Sequence, residues 1–372
     1  MTGSDQGLTG SRGFPENGRV YLRPLGLTST ADGTVGPPPE GELPLAGGPF
    51  QFTSCEVTHR FGETLLYTVL PASEVVAWSN DEEAPGSSQA ALLLDRVTRR
   101  RPDFCELSPD RVRIMGVINV TPDSFSDGGD ALEPLAAVQK ARAMVAAGAD
   151  MIDVGGESTR PGSDPVPADR QCERILPVIR ALVRDGVKVS IDTRSAAVMV
   201  EGLEAGAVTV NDVSALTHDE DSLTVMARSG AGVVLMHMQG EPKTMQVDPR
   251  YDCAPLDIFD FLEQRIQACL SVGIERHRIA IDPGIGFGKT LDHNIEILHH
   301  LALYHGLGCP IVLGVSRKSF VARLSSKEPP KERLGGSLAA ALFAVGQGVQ
   351  ILRVHDVAAT RQALRVWRAL GR

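Results

Sequence analysis

RIMGVINVTPDSFSDGG, residues 113–129, joins an apolar run (Ile114, Met115, Val117, Ile118) to a loop that holds, after Asn119, a proline, two aspartates, two serines, a threonine and two glycines. The run reads as a buried strand, and a strand tip that breaks into such a loop is where α/β folds place chemistry. Outward from this stretch the same unit recurs. Short apolar runs begin at Ile114, Met151, Val187, Ala207, Gly232, Ile279, Ile311 and Gln350. Helical patterns follow, such as Leu135, Val138, Met144, Val145 or Ile175, Val178, Ile179, Leu182. Gly148, Gly186, Gly206, Gly230, Gly273, Gly308 and Gly348 precede the next strand, where a helix end favours the left-handed conformation. Eight such units over roughly 250 residues predict an α/β protein, a parallel (β/α)8 TIM barrel, with a doubly wound open sheet as the rival topology.

The ends of these strands are all polar. They carry Asn119; Thr159 and Arg160; Asp192, Thr193 and Arg194; Asn211 and Asp212; His237; Asp282; Ser316, Arg317 and Lys318; and Arg353, His355 and Asp356. In a barrel these tips converge on one face. Asp, Asn, Ser and Thr also serve as helix caps and turn residues, but guanidinium, ammonium and imidazole groups make poor N-caps. Arg160, Lys318, Arg353 and His355 therefore point to an anion site. DPGIGFGKT, residues 282–290, is neither a P-loop nor a dinucleotide fingerprint, because its glycines are wrongly spaced for both. Its glycines instead suit a backbone that approaches a flat ligand beside Phe287.

Composition narrows the classes. The 372 residues carry a formal charge of -9, which disfavours nucleic acid as a general partner, and no apolar run approaches the ~20 residues that span a bilayer. MTGSDQGLTG lacks the basic and apolar regions of a signal peptide, so a cytoplasmic protein with no membrane partner is expected. Its six cysteines are scattered, with no zinc spacing. Residues 1–100 read as a small β-rich extension of open role, with strands at VYLRPL (20–25), FQFTSCEV (50–57) and TLLYTVL (64–70). A polar linker follows at 79–89 and a helix at 90–100. Every motif lies in a second domain, 105–372, so the extension is expected to be dispensable for the chemistry.

NVTPDSFSDGG, GADMIDVGGESTRPG, VSIDTR, the pair Asn211–Asp212, VVLMHMQG, AIDPGIGFGKT, GVSRKSF and ILRVHDV resemble, in order, the motifs of the dihydropteroate synthases. Two departures stand out: Glu241 where a small residue is usual, and Gly335 where a proline is common. The resemblance implies a pterin-binding barrel that joins 6-hydroxymethyl-7,8-dihydropterin diphosphate to 4-aminobenzoate and releases diphosphate. A folate-dependent methyltransferase barrel and a non-catalytic pterin-binding paralogue are the alternatives. It assigns the pterin edge to Asp282, Asn211 and Lys318, the ring face to Arg353 and the polar floor to Asp192, with Met236, Gly286 and Phe287 also binding substrate. The leaving diphosphate falls to Asn119, Arg160 and His355, with Asn119 lending an oxygen to Mg2+. Phe125, Asp127, Thr159 and Pro161 belong to two loops that close over the site and shape the aminobenzoate pocket, and Ser319 meets the aminobenzoate carboxylate. A homodimer is implied as well.

Overall fold

A computed structural model describes residues 18–29, 38–121, 133–158 and 162–370. The described residues form two compact units, one comprising those up to Arg101 with His300–Gly308, the other those of Pro102–His299 and Cys309–Leu370.

The first unit holds two antiparallel sheets. One orders β1 (Arg19–Leu25), β5 (Ser54–Phe61) and β6 (Thr64–Pro71); the other orders β2 (Thr28–Ser29), β4 (Phe50–Phe52) and β3 (Leu43–Leu45). FQFTSCEV is thus two strands in different sheets. Thr53 interrupts it because its N–H bonds to the Leu25 carbonyl (3.2 Å) and its own carbonyl accepts from Ala72 (2.8 Å). Residues 79–89 are not a linker between domains but mainly the turn joining α1 (Ala72–Ser79) to α2 (Ser87–Thr98). The turn is tied down by the buried Trp78, whose Nε1 donates to the Pro85 carbonyl (3.1 Å), and by Gln89, which accepts from the Val20 N–H (3.0 Å). The 3-10 helix Leu301–Leu307 belongs to this unit. Leu301, Tyr304 and Leu307 are fully buried, and Arg101 donates to the His305 carbonyl (2.9 Å).

The second unit is the barrel. Its strands are β7 (Arg113–Asn119), β8 (Met151–Gly155), β9 (Val189–Asp192), β10 (Thr209–Asp212), β11 (Gly232–Met236), β12 (Ile279–Asp282), β13 (Val312–Leu313) and β14 (Ile351–Val354). They are parallel and lie in the order β12-β11-β10-β9-β8-β7-β14-β13, with a further bridge from Ile281 to Ile311 that nearly closes the ring. A doubly wound sheet would reverse this order midway. The connecting helices are α3 (Glu133–Ala146), α4 (Ala168–Arg184), α5 (Ala196–Glu204), α6 (Ser222–Ser229), α7 (Ala254–Ser271), α8 (Leu291–His299), α9 (Ser319–Leu324), α10 (Leu334–Gly346) and α11 (Val357–Leu370). All seven helix-closing glycines have positive φ, as at Gly148 (103°) and Gly206 (102°). The interior is filled by Met115, Met151, Val234, Ala280, Val312 and Ile351. Phe104 and Leu107 join this core from a tight turn whose central residues, Cys105 and Glu106, have φ of 50° and 60°.

Candidate active site at the C-terminal ends of the strands

Parallel register assembles a polar floor. Gly155 pairs with Asn119 and with Asp192, Asp192 pairs with Asn211, and Met236 pairs with Asp282. A methyl group on Gly155 would stand 3.3 Å from the Asp192 Cβ and 3.5 Å from the Asn119 Oδ1, so glycine here lets those two strand ends close together.

Arg353 rises from β14 into the centre. Its Nε donates to Asp153 Oδ2 (2.7 Å) and its Nη2 to Asp192 Oδ2 (2.6 Å), while Asn211 Nδ2 donates to the same Asp153 oxygen (3.0 Å). Asp153 Oδ1 and Asp192 Oδ1 are buried and meet no hydrogen-bond partner among the described residues. Buried carboxylate oxygens are normally satisfied, so this pair invites a ligand rich in N–H groups. Burial pushes the Asp192 carboxyl above the usual range, Arg353 opposes that, and the neighbouring Asp153 adds to it.

Asp282 forms a second station. It is buried, and its Oδ1 accepts from the Gly284 N–H (2.7 Å). Burial raises its pKa, against the pull of Lys318. Lys318 lies over the Phe287 ring, 4.8 Å from its centroid, and donates to the Ile285 carbonyl. Burial brings its ammonium down to about 8, with Asp282 restoring part of the loss. Gly286 is pinned on both sides. Its N–H donates to Asn294 Oδ1 (2.6 Å) and its carbonyl accepts from Gln246 (2.7 Å).

Lys318 is presented by an unusual backbone. Arg317 has φ of 61°, which costs an L residue about 1–2 kcal/mol. It is held there by ion pairing with Asp356 (Nε to Oδ2, 2.8 Å), by its N–H to Ser337 Oγ (2.8 Å) and by Arg333 on its carbonyl (2.9 Å). Ser319 is exposed and opens the six-residue α9. His355 meets Ser316 Oγ through Nδ1 (3.1 Å) and through its backbone N–H (3.2 Å). Burial, then Arg353 and Arg317, hold its imidazole down to about 3. In the free protein this favours the neutral imidazole, which can take part in hydrogen bonds.

The structure thus joins Asp192 to Arg353 directly and Asn211 to Arg353 through Asp153, sets Asn119 beside Asp192, and gathers Asp282, Gly286, Phe287 and Lys318 around one loop. Phe125, Asp127, Thr159, Arg160 and Pro161 lie outside the described residues. Asp212 is a turn residue, accepting from the Ser214 and Leu216 N–H groups (2.7 and 2.9 Å). Asp153 went unassigned in the sequence. Its signal is a carboxylate inside the otherwise apolar strand MIDV, which cannot be buried there without a partner. Of the two departures, Glu241 ion-pairs with the buried Arg194, whose Nε also faces Glu157 (3.6 Å), and Gly335 has open space where a Cβ would go.

Residues 115–355 match the family described as pterin binding enzyme. The chain is 44% identical over 272 residues, 72% of its length and 95% of the relative's, to dihydropteroate synthase of Neisseria meningitidis serogroup B. The structure of Xanthomonas albilineans dihydropteroate synthase with 4-aminobenzoic acid superposes with a TM-score of 0.68 at 44% identity, covering 71% of this chain and 94% of that one. The same enzyme in complex with 7,8-dihydropteroate gives 0.65 at 42%, covering 71% and 95%.

Proposed function

The chain belongs to the dihydropteroate synthases of the pterin-binding enzyme family, and we propose that its own polar floor, with Asp282 beside it, binds and orients the pterin for the reaction. It is a transferase that condenses 6-hydroxymethyl-7,8-dihydropterin diphosphate with 4-aminobenzoate to give 7,8-dihydropteroate and diphosphate. The observation that carries the assignment of residues is the Asp153–Arg353–Asp192 cluster, in which two buried carboxylate oxygens meet no partner among the described residues.

In this reading Asp282 accepts from the 2-amino and ring N–H groups of the pterin, and Asn211 can both donate and accept at the same edge. Lys318 donates to the carbonyl side. Arg353, held flat by two carboxylates, offers its guanidinium plane to the ring. The methylene C–O bond to diphosphate breaks ahead of attack, because the dihydropterin shares the developing positive charge. The aryl amine then forms the C–N bond and gives up its proton. The chain contributes orientation and electrostatics more than covalent work. Asn119, Arg160 and His355 take the diphosphate, His355 as a neutral donor. Magnesium belongs to the proposal. Asn119 offers one carbonyl oxygen, and an ion held mostly by phosphate and water needs few protein ligands. Bound there, it would neutralise charge on the departing diphosphate.

Ser319 and the loop residues Phe125, Asp127, Thr159 and Pro161 are proposed for the aminobenzoate side, with Met236 on the pterin side. A homodimer through the barrel helices, where Phe343, Val366 and Leu370 are exposed, and a cytoplasmic location, consistent with six free cysteines, complete the proposal. Among the described residues no helix is long and apolar enough to cross a membrane. Purified full-length chain given both substrates should form 7,8-dihydropteroate with Mg2+ and far less without it; no product under either condition would contradict the reading.

A further inference from the structure

Lys289 closes the loop after β12, is 2% exposed, and takes no part in the chemistry above. Its Nζ donates to the carbonyls of Phe287 (2.9 Å) and His237 (3.3 Å) and shares a hydrogen bond with His237 Nδ1 (2.9 Å), whose direction depends on the imidazole tautomer. All three partners are neutral, a costly setting for a buried amine unless the geometry needs it. Burial pushes both Lys289 and His237 towards their neutral forms, and each basic group opposes a charge on the other.

The surroundings of this contact are close-packed. The His237 N–H donates to the Asp282 carbonyl (3.0 Å), and its ring meets Phe261 edge-on at 4.9 Å. A Cβ on Gly284 would fall 1.9 Å from the His237 carbonyl oxygen and 3.3 Å from Lys289 Nζ. Tyr251 donates to the Gly288 carbonyl (2.7 Å). The loop therefore wraps around the Lys289 nitrogen, and the carbonyl that nitrogen grips belongs to Phe287, whose ring lies beneath Lys318.

We propose that Lys289 is a positioning residue for the pterin: through the Phe287 carbonyl and His237 it fixes the loop 284–288, so that the Phe287 ring and the Lys318 ammonium keep their place at the pterin edge. The proposal rests on the reading that Asp282 and Lys318 bind the pterin. Lys289 touches neither substrate nor reacting atoms, so its removal should act on pterin binding and leave the chemical step alone.

The test is steady-state kinetics with 6-hydroxymethyl-7,8-dihydropterin diphosphate and 4-aminobenzoate on Lys289→Met, His237→Ala, His237→Asn and Asp282→Ala. Lys289→Met should raise KM for the pterin on the order of tenfold, keep kcat within about twofold, and leave KM for 4-aminobenzoate unchanged. His237→Asn, whose amide can donate or accept where Nδ1 stood, should restore most of what His237→Ala loses, and this pair decides the matter if Lys289→Met does not fold. A lowered melting temperature with unchanged kinetic constants, an equal rise in both KM values, or no rescue by asparagine would overturn the proposal. Unchanged pterin KM in Asp282→Ala would remove the pterin reading itself, and Lys289's role with it. A large effect there beside a wild-type Lys289→Met would remove the Lys289 role alone.

Discussion

At the scale of single residues, the site is built from charges held in unfavourable surroundings, and that has measurable consequences. Burial raises the Asp282 pKa above its unfolded value. A carboxyl raised in this way adds stability only while protonated, so its contribution is lost as pH rises through the folded pKa, and at neutral pH the buried charge destabilises the fold. Asp282→Asn, which keeps an acceptor for the Gly284 N–H, should therefore melt higher than the parent at neutral pH, with the difference shrinking in acid, while binding pterin more weakly. A variant that melts lower at neutral pH would show that the carboxylate is well compensated in the free protein. For His355, held down to about 3, the imidazole signals in NMR should not titrate between about pH 5 and 8 in the free protein. Added Mg2+ and diphosphate should pull its pKa upward. A midpoint near the ordinary histidine value without ligand would contradict the neutral assignment.

At the scale of elements, the loops after the strands carry both the function and the strain. Gly284 has φ of 71° and no room for a Cβ beside the His237 carbonyl, so Gly284→Ala should cost at least about 2 kcal/mol and weaken pterin binding. Gly335, in the first turn of α10, has open space around it, and Gly335→Ala should gain a few tenths to about 1 kcal/mol with kcat unchanged. Thermal melts of the two variants should move in opposite directions, and a shift in the same direction would mean that local space does not govern these positions. This contrast also marks what was legible in the sequence. The strand starts, the helix-closing glycines and the polar strand tips could be read because they depend on local periodicity and on φ. Asp153 and Lys289 could not, because what makes each matter is a partner far along the chain. Arg353 lies 200 residues from Asp153, and His237 lies 52 from Lys289.

At the scale of the whole molecule, the division of the chain was half legible. The change of character near residue 100 is plain in composition, but 79–89 looks like a linker only because helix turns and linkers share the same polar, Pro- and Gly-rich residues. Nothing local reveals that 300–308 belongs with the first unit. That membership changes what truncation should do. A chain beginning at Ala90 keeps every motif of the reaction, yet it strips Leu301, Tyr304 and Leu307 and the buried face of α2 (Ala90, Leu93, Val97) of the rest of their unit. It should be poorly soluble and bind a hydrophobic dye, whereas a soluble truncated chain with full turnover would show that these segments fold without residues 18–89. Whether the barrel's floor reads the pterin ring itself is tested most directly by calorimetry with 6-hydroxymethylpterin, which lacks diphosphate and so isolates the ring from the anion site. The parent chain and His355→Ala should bind it comparably, while Asp282→Ala should lose about 1.5–3 kcal/mol for each charge-assisted hydrogen bond removed. Equal affinity in the parent and Asp282→Ala would contradict the assignment.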